Sequence, residues 1–244
     1  IRIFLNSALR GCTMFEKRNC YAIILAGGSG KRAGTILPKQ FNEINGKAIL
    51  AYSLETFDKN SIVDGIVIVT HPDYFPITKS IIDKSQIKKL IGITEGGVQR
   101  KDSSYNGLKY LNCPSDSIVM IHDAARPFID DIIIENSVKN ANLNGATAAY
   151  ISATDTIAIF ENNRLKSIPQ RETCFMAQTP QTFRYDLIMK AHQNAKPEKE
   201  YTDDVSLAVD AGTDITLTEG NASNFKITTP EDFEKALIYL CKNK

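Results

Sequence analysis

Residues 21–41 read YAIILAGGSGKRAGTILPKQF, and this stretch decides the fold. Residues 22–25 are a short apolar run of the kind that forms a buried strand. Gly27, Gly28 and Gly30 follow at once, then Lys31 and Arg32, then Pro38-Lys39. Glycine lets a backbone turn sharply and bring its N–H groups close to a ligand, and basic side chains at the rim make that ligand an anion. A strand running into such a loop is the usual way an α/β protein builds a phosphate site.

The same residues exclude one common phosphate loop and argue against a second. A Walker A loop requires G-x-x-x-x-G-K-[ST], whereas Gly30-Lys31 is followed by Arg32, and Leu25 stands where the first glycine belongs. Residues 28–33 fit the dinucleotide string G-x-G-x-x-[GA], but that motif needs a helix starting directly under the pyrophosphate. Gly34 and Pro38 interrupt such a helix within two turns. Glu55, near the spacing of a ribose-binding acid, falls inside an amphipathic helical run and not at a strand end. An NAD-binding protein therefore remains only as an alternative.

Outward from this stretch, strands and helices alternate. Residues 48–57 place Ile49, Leu50, Leu54 and Phe57 on one helical face, and 64–70 (DGIVIVT) is a buried strand closed by His71-Pro72-Asp73. A helix over 73–83 and a strand over 90–94 lead into Gly96-Gly97. The helix over 98–111 carries Arg100 and Ser103 in its first turn. The strand over 117–121 ends in HDAARP, and Asp130 or Asp131 caps a helix reaching about 142. After a strand over 145–152, two extended pieces, 156–160 and 164–168, joined by Glu161-Asn162-Asn163, read as a hairpin. Its thin apolar content makes it an arm that leaves the sheet. Helices over 185–194, 203–211 (capped by Thr202) and 231–241 complete the chain, with strands over 214–218 and 224–227. The pattern predicts an α/β fold: a doubly wound, mainly parallel, Rossmann-like sheet with a protruding β-hairpin arm at about 153–172.

Composition narrows the function. At 244 residues the chain suits one large domain, assigned to 21–244 after an N-terminal extension, 1–20. A net charge of +1 gives no general attraction to nucleic acid or a membrane surface, so any anion site is local. No apolar run approaches the roughly 18 residues of a membrane span. The five cysteines are odd in number and widely spaced, with no C-x-x-C pair, which points to a reducing, cytoplasmic compartment without zinc or disulfides. Residues 1–13 are mildly apolar and basic, with Met14 just before the first strand, and read as upstream sequence or an expression remnant, with an organelle-targeting remnant as the unsupported alternative.

Ligands of an open α/β sheet sit at the carboxyl ends of its strands. Those ends here carry the glycine loop, Glu95-Gly96-Gly97, Asp123-Ala124-Ala125-Arg126 and Lys226, a set suited to a nucleoside triphosphate. In order, AGGSGKR, PKQF, EGGVQRKDS, HDAARP, DT, QTPQ, TDD and NFKITTPEDF resemble the 2-C-methyl-D-erythritol 4-phosphate cytidylyltransferase family, which serves isoprenoid precursor synthesis. The related ribitol 5-phosphate cytidylyltransferases, which make CDP-ribitol for cell-surface polymers, share most of the pattern. The likeness spans residues 21–240.

The resemblance implies a transferase that uses CTP, a sugar alcohol phosphate and Mg²⁺, and works as a homodimer. It implies that Ala26, Gly27, Gly28 and Gly30 wrap the CTP phosphates and cytosine. Arg32 and Lys39 would hold the triphosphate and stabilise the transition state. Gly97 and Ser103 would contact base and ribose, with Asp123 and Ala124 under the ribose and the reacting phosphates. Arg126 would lie beside the acceptor phosphate. Thr156 and Arg171, flanking the arm, would reach the neighbouring subunit's acceptor. Thr179, Thr202 and Lys226 would complete the acceptor and α-phosphate site. The residue types suit this chemistry, because the acceptor phosphate is already an anionic nucleophile and requires alignment and positive charge, not a base.

Two features divide the acceptor assignment. Ala26-Gly27-Gly28 looks more like the ribitol branch, while Asp102-Ser103, Ala124-Ala125 and the Thr202-Asp203-Asp204-x-Ser206 run look more like the methylerythritol branch. Methylerythritol phosphate is the expected acceptor, with ribitol 5-phosphate the alternative. A non-catalytic relative is opposed by the intact set Arg32, Lys39, Arg126, Arg171 and Lys226. His122 reads as a packed histidine. The His122-Asp123 pair fits metal phosphohydrolases, but only His71 and His192 remain as further histidine ligands. Asp203-Asp204 reads as first-turn capping, and Phe41, Phe57 and Phe233 as core.

Overall fold

Successive residues of the central strands enter opposite apolar layers, as a period of two requires. The computed structural model describes residues 18–28 and 37–242. Strands β1 (Cys20–Leu25), β4 (Gly65–Thr70) and β6 (Ile118–Asp123) form its centre. Ala22, Ile24, Ile66, Ile68, Ile118 and Met120 join one buried layer, while Ile23, Val67, Val69, Val119 and Ile121 join the other. Burial on both faces is what near-continuous Val/Ile runs in parallel strands provide for.

The helices fill these two layers. On the first face lie α1 (Ile49–Lys59), α2 (Phe75–Ser85) and α4 (Asp131–Asn144), contributing Leu50, Leu54, Phe57, Ile81, Ile82, Ile133 and Ile134. On the second lie α3 (Arg100–Leu111), α5 (Tyr185–Gln193) and α6 (Asp204–Asp210), contributing Leu108, Leu111, Ile188, Ala191 and Leu207. A smaller cluster joins α7 (Pro230–Lys242) to Ile44, Ile49, Phe128 and Ile227 through Ala236. The face predicted for α1 is the one that is buried: Ile49, Leu50, Leu54 and Phe57 are all inaccessible.

With β5 (Leu90–Glu95), β7 (Ala146–Ser152), β10 (Phe175–Arg184) and β11 (Thr216–Glu219), the main sheet has seven strands in the order β11-β7-β10-β6-β1-β4-β5. Only β10 runs antiparallel to its neighbours. Its start therefore lies at the same edge as the ends of β1, β5 and β6.

Four expectations are corrected. First, β10 is absent from the sequence reading: Pro180 lies in it, and proline is normally confined to edges or irregularities. The strand accommodates Pro180 within a register shift between Ala177 and Gln181, next to a cis Thr179–Pro180 bond. Second, 224–227 is not a strand; Ile227 is buried and its N–H donates to the Ala125 carbonyl at 2.8 Å. Third, Asp203, not Thr202, caps α6, its side chain accepting from the Ser206 N–H at 2.8 Å. Fourth, β1 begins at Cys20, inside the stretch assigned to the extension.

Two hairpins lie outside the main sheet. Strands β2 (Glu43–Ile44) and β3 (Lys47–Ala48) are joined by Asn45-Gly46, both at positive φ, a turn the sequence reading passed over. The arm is the second, with β8 (Ile159–Glu161) and β9 (Arg164–Ser167) joined by Asn162 and Asn163 at φ 50 and 59. Ile159, Phe160, Leu165 and Ile168 on this arm are all exposed.

Candidate active site

The glycine turn is fastened where β1 ends. The Ala26 N–H donates to the Val69 carbonyl at 2.7 Å, and its own carbonyl accepts from Gln40 Nε2 at 2.5 Å and Thr70 Oγ1 at 3.2 Å. Gln40 also donates to the Gly28 carbonyl at 3.0 Å. A buried side-chain amide thus holds the Lys39–Phe41 single turn against the glycines, and this brings half-buried Lys39 to the site. Gly27 and Gly28 remain exposed.

Ser103, in the first turn of α3, ties that helix to the loop after β5 and lies close to the glycine turn after β1. Its Oγ accepts from the Gly97 N–H at 3.0 Å and donates to the Gln99 carbonyl at 3.2 Å. A Cβ at Gly27 would lie 3.6 Å from this oxygen, and one at Gly96 3.1 Å. A Cβ at Gly97 would collide with that of Asp102, so any side chain there displaces the capping box formed by Gln99 and Asp102.

The end of β6 supplies charge. The Ala124 N–H donates to the Leu25 carbonyl at 3.0 Å, which sets Asp123 beside the glycine turn. Asp123 Oδ2 accepts from Lys226 Nζ at 2.6 Å, and Oδ1 accepts from Arg100 Nε at 3.3 Å and Nη2 at 3.2 Å. Burial by itself would raise the Asp123 carboxyl. Arg100, then Lys226 and Arg126, outweigh it and hold the group well below the usual carboxylate range.

Arg100 continues the chain of charges, with Nη1 donating to Asp204 Oδ2 at 2.6 Å. The Asp204 side chain is fully buried. Burial raises its pKa, but Arg100 first and His192 second bring it down to about 2. His192 Nε2 lies 3.3 Å from Asp204 Oδ1 without hydrogen-bond alignment. Of the Asp203-Asp204 pair expected to serve first-turn capping, Asp203 is the N-cap, whereas Asp204 is one end of a buried ion pair.

A neutral network fixes the remaining side chains. His122 Nε2 lies 3.0 Å from the Arg126 carbonyl and Nδ1 lies 3.0 Å from Thr179 Oγ1. A carbonyl only accepts, so Nε2 carries the proton, and Thr179 donates to Nδ1 while accepting from the Asp123 N–H at 3.1 Å. Burial pushes the His122 pKa down to about 4, consistent with a packed neutral imidazole. Arg126 donates from Nη1 to the Asn224 carbonyl at 2.8 Å and from Nη2 to the Ala177 carbonyl at 3.1 Å. Its buried Nε has no protein acceptor among the described residues.

The family model described as 2-C-methyl-D-erythritol 4-phosphate cytidylyltransferase matches residues 20–242. The chain belongs to this family. Among curated cytidylyltransferases of that name, one from Clostridium botulinum (strain Loch Maree / Type A3) is 46% identical over 213 residues, covering 86% of this chain and 92% of the relative. Another, from Thermosipho africanus, is 41% identical over 213 residues, covering 86% and 93%. A crystal structure of 4-diphosphocytidyl-2C-methyl-D-erythritol synthase from Anaerococcus prevotii superposes with a TM-score of 0.81 at 29% identity, covering 92% of this chain and 97% of that one.

Of the residues that the resemblance to these cytidylyltransferases singles out, the structure gathers Ala26, Gly27, Gly28, Lys39, Gly97, Ser103, Asp123, Ala124, Arg126, Thr179 and Lys226 at one sheet edge. Thr202 is exposed, one residue before the α6 cap. Thr156 and Arg171 flank the arm and are exposed, Arg171 Nη2 lying 3.8 Å from Glu172. Gly30 and Arg32 lie outside the described residues. Sequence reasoning missed Arg100, Gln40 and Gln181. The last accepts from the Asp204 N–H at 2.9 Å and donates to Asp203 at 2.7 Å. Arg100 carried one signal: a basic residue three positions after a strand-end glycine pair.

Proposed function

We propose that this chain transfers the cytidylyl group of CTP to the phosphate of 2-C-methyl-D-erythritol 4-phosphate and releases pyrophosphate. The family match over residues 20–242 carries this reading. It also favours methylerythritol over ribitol phosphate, the alternative left by Ala26-Gly27-Gly28. An oxygen of the acceptor phosphate attacks the α-phosphorus of CTP, and the bond from that phosphorus to the β-phosphate bridging oxygen breaks. The nucleophile is ionised at neutral pH, so the protein's work is alignment and charge stabilisation.

The gathered residues divide this work. The exposed Gly27–Gly28 backbone receives the nucleotide, with Ser103 and Gly97 at the base and ribose. Lys39 and Lys226 neutralise charge growing on the phosphates, a role the family resemblance also gives Arg32. The unpartnered Nε of Arg126 is a buried donor available to an acceptor phosphate oxygen. Among the described residues no group of three His, Cys, Asp or Glu could hold a metal ion, so no all-protein cage exists there. A Mg²⁺ carried by phosphates and water needs little more than one carboxylate. Asp123 fits: three donated hydrogen bonds leave one of its four acceptor positions, on Oδ2, for such an ion. Bound there, Mg²⁺ would neutralise phosphate charge.

The exposed apolar arm supports a homodimer in which Thr156 and Arg171 serve the partner's acceptor. The four described cysteines are unpaired and no described helix is long and apolar enough to cross a membrane, which support a cytoplasmic enzyme. The test is pyrophosphate release with CTP, ATP or GTP against a panel of polyol phosphates. CTP with methylerythritol phosphate is expected to be fastest by far. Equal rates with ATP would sink the pyrimidine assignment, and preference for ribitol 5-phosphate would overturn the acceptor.

A further inference from the structure

We infer that Arg100 is a positioning residue for this reaction: it clamps the Asp123 carboxylate so that Lys226 is held on one oxygen and in one place. The inference rests on the function proposed above, in which Lys226 serves the α-phosphate.

The geometry is that of a braced clamp. Lys226, Asp123, Arg100 and Asp204 form a line of alternating charge drawn from four separate elements: the segment before α7, the end of β6, the start of α3 and the start of α6. Arg100 grips Asp123 Oδ1 with two nitrogens, Nε at 3.3 Å and Nη2 at 3.2 Å, leaving Oδ2 facing Lys226 Nζ at 2.6 Å. The guanidinium is anchored behind by Asp204, whose side chain is fully buried, through Nη1 at 2.6 Å. Asp204 is itself fixed, because its N–H and that of Val205 both donate to Gln181 Oε1, at 2.9 and 3.3 Å.

Each link limits the next. Without Arg100, both Asp123 oxygens become available to the Lys226 ammonium, which would then settle more tightly and in a different place. A planar fork that reaches two carboxylates cannot be reproduced by the single ammonium of lysine, so Arg100→Lys keeps the buried charge balanced while dissolving the clamp. A merely structural ion pair would affect melting and leave turnover of the folded enzyme unchanged.

The experiment is a double-mutant cycle on the full chain, measuring kcat and the KM for CTP of Arg100→Lys, Lys226→Ala and the double variant. Arg100→Lys is expected to lower kcat by about 10–100-fold, the scale of a misplaced group, with KM for CTP within about threefold. Because Arg100 acts through Lys226, the double variant should turn over within about threefold of Lys226→Ala alone. Losses that multiply, a rise in KM alone, or an Arg100→Lys enzyme with wild-type kcat each overturn the inference. A Lys226→Ala enzyme with wild-type turnover instead sinks the role of Lys226, and so separates the two failures. Should Arg100→Lys not fold, Asp204→Asn cuts the rear anchor while preserving shape, and the same non-additivity is required of it.

Discussion

Lys226 Nζ rests 2.6 Å from Asp123 Oδ2, its side chain 36% exposed against 13% for the carboxylate. The ammonium therefore stands at the solvent side of the pair, where a phosphate can take it over from Asp123. Asp123 keeps Arg100 when Lys226 leaves, so the carboxylate never becomes a lone buried charge.

Lys226→Ala and Lys39→Ala should accordingly lose about 10²–10³ in turnover each, as for a preorganised oxyanion donor. Both proteins should melt close to the wild-type temperature. Turnover of Lys226→Ala within about threefold of wild type, measured by pyrophosphate release, would show that the role given to it is wrong.

Stability should fall with acid because of His122. Its folded pKa of about 4 lies below the ordinary 6.5, so the unfolded chain takes up the proton first. The contribution is complete above pH 6.5 and is lost as pH falls towards 4. The magnitude is on the order of 3 kcal/mol. Asp123 and Asp204 are depressed carboxyls whose contribution disappears only below their ordinary value of 3.8, outside this window. Urea titrations between pH 7 and 4.5 should show this slope in the wild type and lose it in His122→Gln. A slope unchanged by the substitution would place its origin elsewhere.

What the sequence disclosed follows from what is local. Apolar runs such as 64–70 and the helix face of Ile49, Leu50, Leu54 and Phe57 carry their own periodicity, so the parallel core was readable. Strand β10 was not, because Pro180 signals an edge and only the register shift beside it lets a central strand accept proline. The same holds for the site. Glycines and Lys39 stand in one recognisable string, whereas Arg100 and Asp204 are 104 positions apart and meet only through the packing of α5 against both α3 and α6. Thr202 and Asp203 are both residue types that cap helices, and only the bond from the Ser206 N–H to Asp203 distinguishes them.

Gly107 is required by close packing of α3 on the sheet. A Cβ there would meet Ile23 Cγ2 at 2.6 Å and Val69 Cγ2 at 2.8 Å, two inaccessible side chains of β1 and β4. Gly107→Ala should gain helix propensity and still destabilise by about 1–3 kcal/mol, the cost of overpacking a filled core. An urea midpoint equal to or above wild type would show that the layer yields more easily than its packing implies.

The arm sets the last test. Arg171 and Thr156 are exposed beside a hairpin whose Phe160 is 62% exposed, a surface that a second copy would cover. If each acceptor site takes Arg171 from the other chain, Arg171→Ala and Lys39→Ala homodimers are both nearly inactive, for different reasons. Exchange of subunits then creates dimers with one site carrying both lesions and one carrying neither. About half the dimers are mixed and each has one intact site, so activity should recover to about a quarter of wild type. Were Arg171 to serve its own chain, every site would retain one lesion and mixing would restore nothing. Differently tagged chains, co-purified after mixing, establish that exchange has taken place. No recovery under demonstrated exchange refutes the shared site and leaves the arm a structural feature alone.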